Sequence, residues 1–296
     1  MLMNDEPLLK AFSRYLEDIG YSPGTQQYMQ YSVKELLIRA KTKGITHLQQ
    51  LQPEHIQQHY QYLSERPHQR KPGGLSAITI TTILYCLRVF FNWLQQTGQI
   101  KTHPMSLLNF EKPESSPREI LTEEEVKELY SQTENLRDKA ILALFYGCGL
   151  RRSEAEKINT TDIHFKSQLL YVREGKGKKR RVIPMSNKVS EDLKNYYHHE
   201  RKKYIREKDK SSQEAFILND IGRRMTGQYY RLRIKYLLSK AGIPKNISLH
   251  HLRHSIATHL LARGLQIEYV RDFLGHQELE STQIYTRVSS DQLQAL

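Results

Sequence analysis

The 296-residue chain has only two cysteines, Cys86 and Cys148, each set in an apolar segment. Thiols so placed form no disulfide framework and no Cys-x-x-Cys ligand pair; they read as small buried hydrophobes of a protein kept in a reducing cytosol. No apolar run stands out as long enough to span a bilayer, and residues 1–6 hold neither a basic n-region nor an apolar h-region. Neither a membrane partner nor a secretory leader is therefore expected. Acidic residues are in deficit as well: 32 Asp+Glu face 45 Lys+Arg, a formal charge of +13. That excess suits a polyanionic partner, nucleic acid first, and a cytoplasmic, nucleoid-associated location.

A chain of this length exceeds the usual size of a single core, so two domains are expected. Leu8, Leu9, Phe12 and Leu16 recur at helical spacing up to Gly20. A second helix is expected over about residues 25–43, closed by Gly44, and a third from Pro53 to Glu65. Residues 66–74 are basic and rich in breakers, a loop that offers Arg70 and Lys71 to DNA. Ser76 is placed to cap a fourth helix carrying Ile80, Ile83, Leu84, Leu87, Phe90, Phe91 and Leu94. Residues 111–118, polar and with two prolines, form the expected linker between a helical domain (1–110) and a second domain (119–296). Both sides are basic, 11 Lys+Arg against 7 Asp+Glu before residue 111 and 34 against 25 from residue 111 on, as suits two domains that grip one duplex.

Beyond the linker, Thr122 and Glu125 have capping-box spacing, and the apolar stretch 140–146 predicts a buried helix ending near Gly147 and Gly149. Residues 168–173 and 180–184 flank a Gly-Lys-Gly-Lys turn and predict a small hairpin, with helices to follow over 189–208, 227–241 and 250–263. The class is mainly α with a small β element.

Six residues of this second part suit one chemistry: Arg151, Lys176, His250, Arg253, His276 and Tyr285. Guanidiniums and an ammonium can hold the oxygens of a phosphodiester, and a phenol can attack its phosphorus while conserving bond energy in a phosphotyrosine. His250 and Arg253 are three apart on a predicted helix and can face one phosphate, with the histidine placed to take the phenol proton. His250 and His254 share a helix face as well, but there is no HExxH pattern, cysteine cluster or carboxylate third ligand, so no metal is expected. Glu154 is placed to hold Arg151. Arg152, Lys178, Lys179 and Arg180 are further candidates for phosphate contacts.

The local sequences occur in a telling order: Tyr146-Gly147-Cys148-Gly149-Leu150-Arg151-Arg152-Ser153-Glu154, then Gly175-Lys176-Gly177 with Arg181-Val182-Ile183-Pro184, then His250-His251-Leu252-Arg253-His254-Ser255, and last Leu274-Gly275-His276 with Tyr285 nine residues on. This ordered set resembles the signature segments of the tyrosine recombinases, the phage-integrase family. The likeness is strong over about residues 118–288 and looser over 7–110, and the layout is similar to Xer-type recombinases and short integrases. The resemblance selects Arg151 over Arg152 and Lys176 among the hairpin lysines. It implies an N-terminal helical core-binding (SAM-like) domain and a C-terminal α/β catalytic domain that clamp double-stranded DNA at a recombination site. It also implies cleavage by Tyr285, a 3′-phosphotyrosyl intermediate, no cofactor, and a homo-oligomer on DNA, a dimer per site and a tetrameric synapse, with or without a second recombinase. Two alternatives stay open: a type IB topoisomerase-like enzyme that relaxes DNA without a partner subunit, and a catalytically inactive integrase-derived DNA-binding protein.

Overall fold

The computed structural model describes residues 5–68, 72–110, 119–173 and 180–275. By its contacts the chain divides into two compact units, 1–116 and 117–296. Each has its own apolar core.

The first unit is built from α1 (Asp5–Asp18), α2 (Pro23–Thr42), α3 (Pro53–Glu65) and α4 (Ala77–Gln96). Ser22 caps α2 and Ser76 caps α4, each accepting a hydrogen bond from the N–H three residues on. Gly44 closes α2 with φ +79°, a conformation that costs glycine nothing. Phe12 of α1 meets Phe90 of α4 edge-to-face at 5.2 Å, centring the core on these two helices. One expectation needs correction here. By length and composition α4 is apolar enough to cross a bilayer, although no such run was expected. Its apolar side chains have partners in the fold: nine residues from Ile80 to Leu94 are buried in the first unit's core.

In the second unit α5 (Glu123–Ser131) starts at the expected capping box, with the Glu125 N–H on Thr122 Oγ1 at 3.2 Å and the Thr122 N–H on Glu125 Oε2 at 2.7 Å. There follow α6 (Leu136–Leu142), α7 (Arg152–Lys157) and an antiparallel sheet of β1 (Ile163–His164), β2 (Leu169–Val172) and β3 (Arg181–Pro184). Leu170 pairs with Ile183 and Val172 with Arg181, so the expected hairpin is present and β1 adds an edge that the pattern did not show. The sheet leads to α8 (Asn187–Asn195), α9 (Lys210–Glu214), α10 (Gly227–Lys240), α11 (Leu249–Ala262) and α12 (Ile267–Leu274).

The helix expected over 189–208 ends early. After Asn195 the chain passes through a π turn (Tyr196–Glu200) and a 3-10 turn (Arg201–Tyr204). Arg201 is buried there and donates to the carbonyls of Ser212 (2.9 Å), Gln213 (2.7 Å) and Ala215 (2.8 Å). These bonds to a later segment override the local helical propensity of the polar run.

Candidate active site

The helix that begins with α6 widens into a π turn at Ala143–Gly147, a form frequent beside functional sites. Gly149 then takes φ +58°, and a Cβ there would lie 2.8 Å from Leu274 Cδ2. Only glycine suits both the backbone and the gap. The turn delivers Arg151 to the N-terminus of α7.

Arg151 donates its backbone N–H to Glu154 Oε2 at 2.7 Å and Nη1–H to Oε1 at 2.8 Å. Its Nη2 donates to the carbonyl of Gly275 at 3.2 Å, and the side chain keeps 20% exposure. Glu154 is only 1% exposed. It accepts two more bonds from Arg181, Nη1 to Oε1 at 2.7 Å and Nη2 to Oε2 at 2.8 Å. Burial alone would raise its pKa, but the Arg181 guanidinium, helped by Arg151, holds it at about 2.

Arg253 approaches from α11. Leu249, Leu252, Arg253, Ile256 and Leu260 share that helix's buried face, so an arginine stands where the 3.6-residue period calls for core. At 1% exposure it is held by the carbonyls of Gly149 and Leu274, which accept from Nη1 and Nη2, and Nη1 lies 4.0 Å from Glu154 Oε2. Burial, then the fields of Arg151 and Arg181, pull its pKa down to about 9, so it is protonated at neutral pH. Three guanidiniums thus surround one carboxylate. The local charge of +2, in a site largely shielded from water, is the electrostatic imprint of an anion.

His250 stands exposed one turn before Arg253, its ring 4.3 Å from that of His254 and nearly perpendicular to it. His251 serves the helix start, where its Nδ1 meets the Ser248 N–H at 3.2 Å. Ser255 accepts from the Leu121 N–H at 2.9 Å and donates to the His251 carbonyl, tying the segment before α5 to α11. Tyr146, the tyrosine nearest to Arg151 in sequence, is a poor nucleophile. It is buried, its hydroxyl meets His259 Nδ1 at 2.8 Å, and burial, with Glu123 adding to it, pushes its pKa up.

The structure therefore brings Arg151, Glu154 and Arg253 together and leaves His250 on the surface, one helical turn before Arg253. Lys176, His276 and Tyr285 lie outside the described residues, as do Arg70, Lys71, Lys178 and Lys179. Arg152 and Arg180 are exposed, and Arg152 Nε is 4.0 Å from Glu156. Sequence reasoning gave Arg181 no role in the site, placing it only in the second strand of the hairpin. The signal was there: alternation along β3 puts Arg181 on the same buried face as Ile183, and an arginine on a core face needs acceptors, a carboxylate or carbonyls, to hold its charge.

Comparison with known proteins bears on family and fold. Residues 119–292 match the phage integrase family and residues 9–98 match the phage integrase N-terminal SAM-like domain. The tyrosine recombinase XerC of Bacillus pumilus is 31% identical over 299 residues, covering 99% of this chain and 95% of that protein. Among solved structures, the Tn1549 transposon integrase in complex with transposon right end DNA superposes with a TM-score of 0.71 at 18% identity, covering 97% of each chain. A lambda integrase tetramer bound to a Holliday junction superposes with a TM-score of 0.68 at 17% identity, over 92% of this chain and 77% of that one. At such identities these two likenesses speak for the fold.

Proposed function

Because the chain belongs to the phage integrase family, and so is a tyrosine recombinase that cleaves and rejoins DNA, we propose that it works through a 3′-phosphotyrosyl intermediate formed by Tyr285. The observation that carries this reading is the pair of guanidiniums, Arg151 and Arg253, gathered with Arg181 on the single buried carboxylate of Glu154. Such a cluster has surplus positive charge, and a scissile phosphodiester supplies the missing anion.

In this mechanism Arg151 and Arg253 hold the non-bridging oxygens and stabilise the charge that grows on them in the transition state. The Tyr285 oxygen attacks phosphorus, and its proton passes to His250. The bond to the 5′-oxygen breaks as Lys176 protonates that oxygen, and His276 donates a hydrogen bond to the phosphate. One phosphoester replaces another, so no nucleotide, metal or water enters. Attack by a 5′-hydroxyl on the phosphotyrosine reverses the sequence, with a new partner strand when recombination is complete. We assign double-stranded DNA as substrate and a dimer on each site with a tetrameric synapse. The DNA-bound tetramer of lambda integrase, which shares the fold, supports this assembly, and the surplus of basic residues in both parts of the chain supports the substrate.

The experiment uses DNA that the protein protects from nuclease, rebuilt with a nick beside the cut so that the released fragment diffuses away. Label on the fragment 5′ of the cut, which keeps the phosphate at its 3′ end, is expected to become protein-linked. Label trapped on the fragment 3′ of the cut, through a 5′-phosphate, or release of both ends by water, would overturn the proposal.

A further inference from the structure

Arg181 sits at a position where an apolar side chain would cost less. It is 6% exposed on the core face of β3, and its Nε is buried with no hydrogen-bond partner among the described residues. A buried ion pair is seldom kept for stability, since a hydrophobic residue of similar volume is often neutral or better. What the arginine does here is geometric. Its fork takes both oxygens of Glu154, at 2.7 and 2.8 Å, and leaves Arg151 one side-chain bond to that carboxylate. The aliphatic stem also runs against Gly275, where a Cβ would come within 2.8 Å of Arg181 Cδ. The Gly275 carbonyl is the second anchor of Arg151, and the carbonyl before it, of Leu274, anchors Arg253.

Among the described residues, loss of Arg181 would leave Glu154 hydrogen-bonded to Arg151, with Arg253 Nη1 held 4.0 Å away by its own backbone carbonyl partners. A lone buried carboxylate beside one guanidinium takes it bidentately, which draws the guanidinium inward and cancels its charge. We infer that Arg181 is a positioning residue: by saturating Glu154 and lining Gly275, it keeps Arg151 turned outward and charged for the scissile phosphate. This rests on the proposed role of Arg151 and extends it to a residue that touches no substrate. Arg181 also stands at the foot of the segment 174–179, which carries Lys176, so an effect through that lysine must be told apart from an effect through Glu154.

The test is single-turnover cleavage of nicked suicide DNA by the full chain, with DNA affinity and thermal melting measured alongside. Arg181→Met is expected to lower cleavage on the order of 10- to 100-fold, the cost of a phosphate clamp displaced by an ångström or less, with DNA affinity unchanged. Arg181→Lys, which keeps charge and stem but not the fork, is expected to fall between Met and wild type, and it decides the matter if the Met variant does not fold. A 5′-bridging phosphorothioate, which removes the need for a general acid, should restore neither variant. In the Glu154→Gln background Arg181→Met should cost nothing further, because the effect runs through that carboxylate. Wild-type cleavage by both Arg181 variants would overturn the inference, as would full rescue by the phosphorothioate or additive losses in the double variant. Arg151→Ala is the control for the underlying reading. If it cleaves normally, the role of Arg151 falls and this inference with it; if it is inactive while both Arg181 variants are normal, only this inference falls.

Discussion

Replacing Glu154 with Gln tests the electrostatics of the site in a way that can be worked through in numbers. The carboxylate accepts four N–H bonds, two from Arg151 and two from Arg181, at 2.7 to 2.8 Å. A carboxyl whose pKa falls from 4.5 to about 2 on folding stabilises the folded state by about 3 kcal/mol. The sign follows from the depression: the contribution is fully present above the unfolded value of 4.5 and is lost as pH falls toward the folded value of about 2. At pH 3 roughly 2 kcal/mol of it is gone by the same relation. Glu154→Gln has no such proton to bind. It should therefore be less stable than wild type by about 3 kcal/mol at pH 7, and by only about 1 kcal/mol at pH 3. Urea unfolding of the full chain followed by circular dichroism measures the gap. The single tryptophan, Trp93, lies in the core of the first unit and serves as an internal control, since its fluorescence transition should not move. Equal stabilities at pH 7, or a gap that stays constant from pH 7 to pH 3, would refute the reasoning.

Gly149→Ala forces a side chain into φ +58° and within 2.8 Å of Leu274 Cδ2; the conformation costs about 1–2 kcal/mol and the crowding about 1–3 more, measurable by the same titration. An unchanged midpoint would show that the turn is softer than its packing implies. Lys176→Ala should lose cleavage on ordinary DNA and regain it on a 5′-bridging phosphorothioate, whereas rescue of Lys178→Ala or Lys179→Ala instead would move the general acid along the hairpin. Cutting the chain within residues 111–118 should leave two fragments that each unfold cooperatively, because each unit buries its own core; a fragment that melts without a transition would argue against two independent domains.

What could be read in the amino acids was whatever is local. Ser76 and Thr122 cap helices where a side-chain oxygen precedes an apolar period, and the glycines at 44, 149 and 275 end or turn the chain with positive φ. The tyrosine-recombinase likeness was legible because Arg151, with Gly147 and Gly149 before it, and Arg253, between His250 and His254, lie in short ordered segments. Features set by distant partners were not legible. Arg201 ends a helix early because its hydrogen-bond acceptors come later in the chain, at Ser212 to Phe216. Arg181 read only as part of a hairpin strand, since its partner Glu154 belongs to another element. The apolar length of α4 was underestimated because Thr79, Thr81 and Thr82 break its visual run, although Thr81 and Thr82 turn their hydroxyls back onto carbonyls four residues earlier.

The central claim, covalent strand cleavage by one phenol, is met most directly by comparing wild type with Tyr285→Phe on nicked suicide DNA. Wild type should yield a protein–DNA adduct whose digestion maps the phosphodeoxynucleotide to Tyr285. The Phe variant, which loses a single oxygen, should bind the same DNA with nearly the same affinity and yield no adduct. An adduct that persists in Tyr285→Phe, or one that maps to another residue in wild type, would contradict the account.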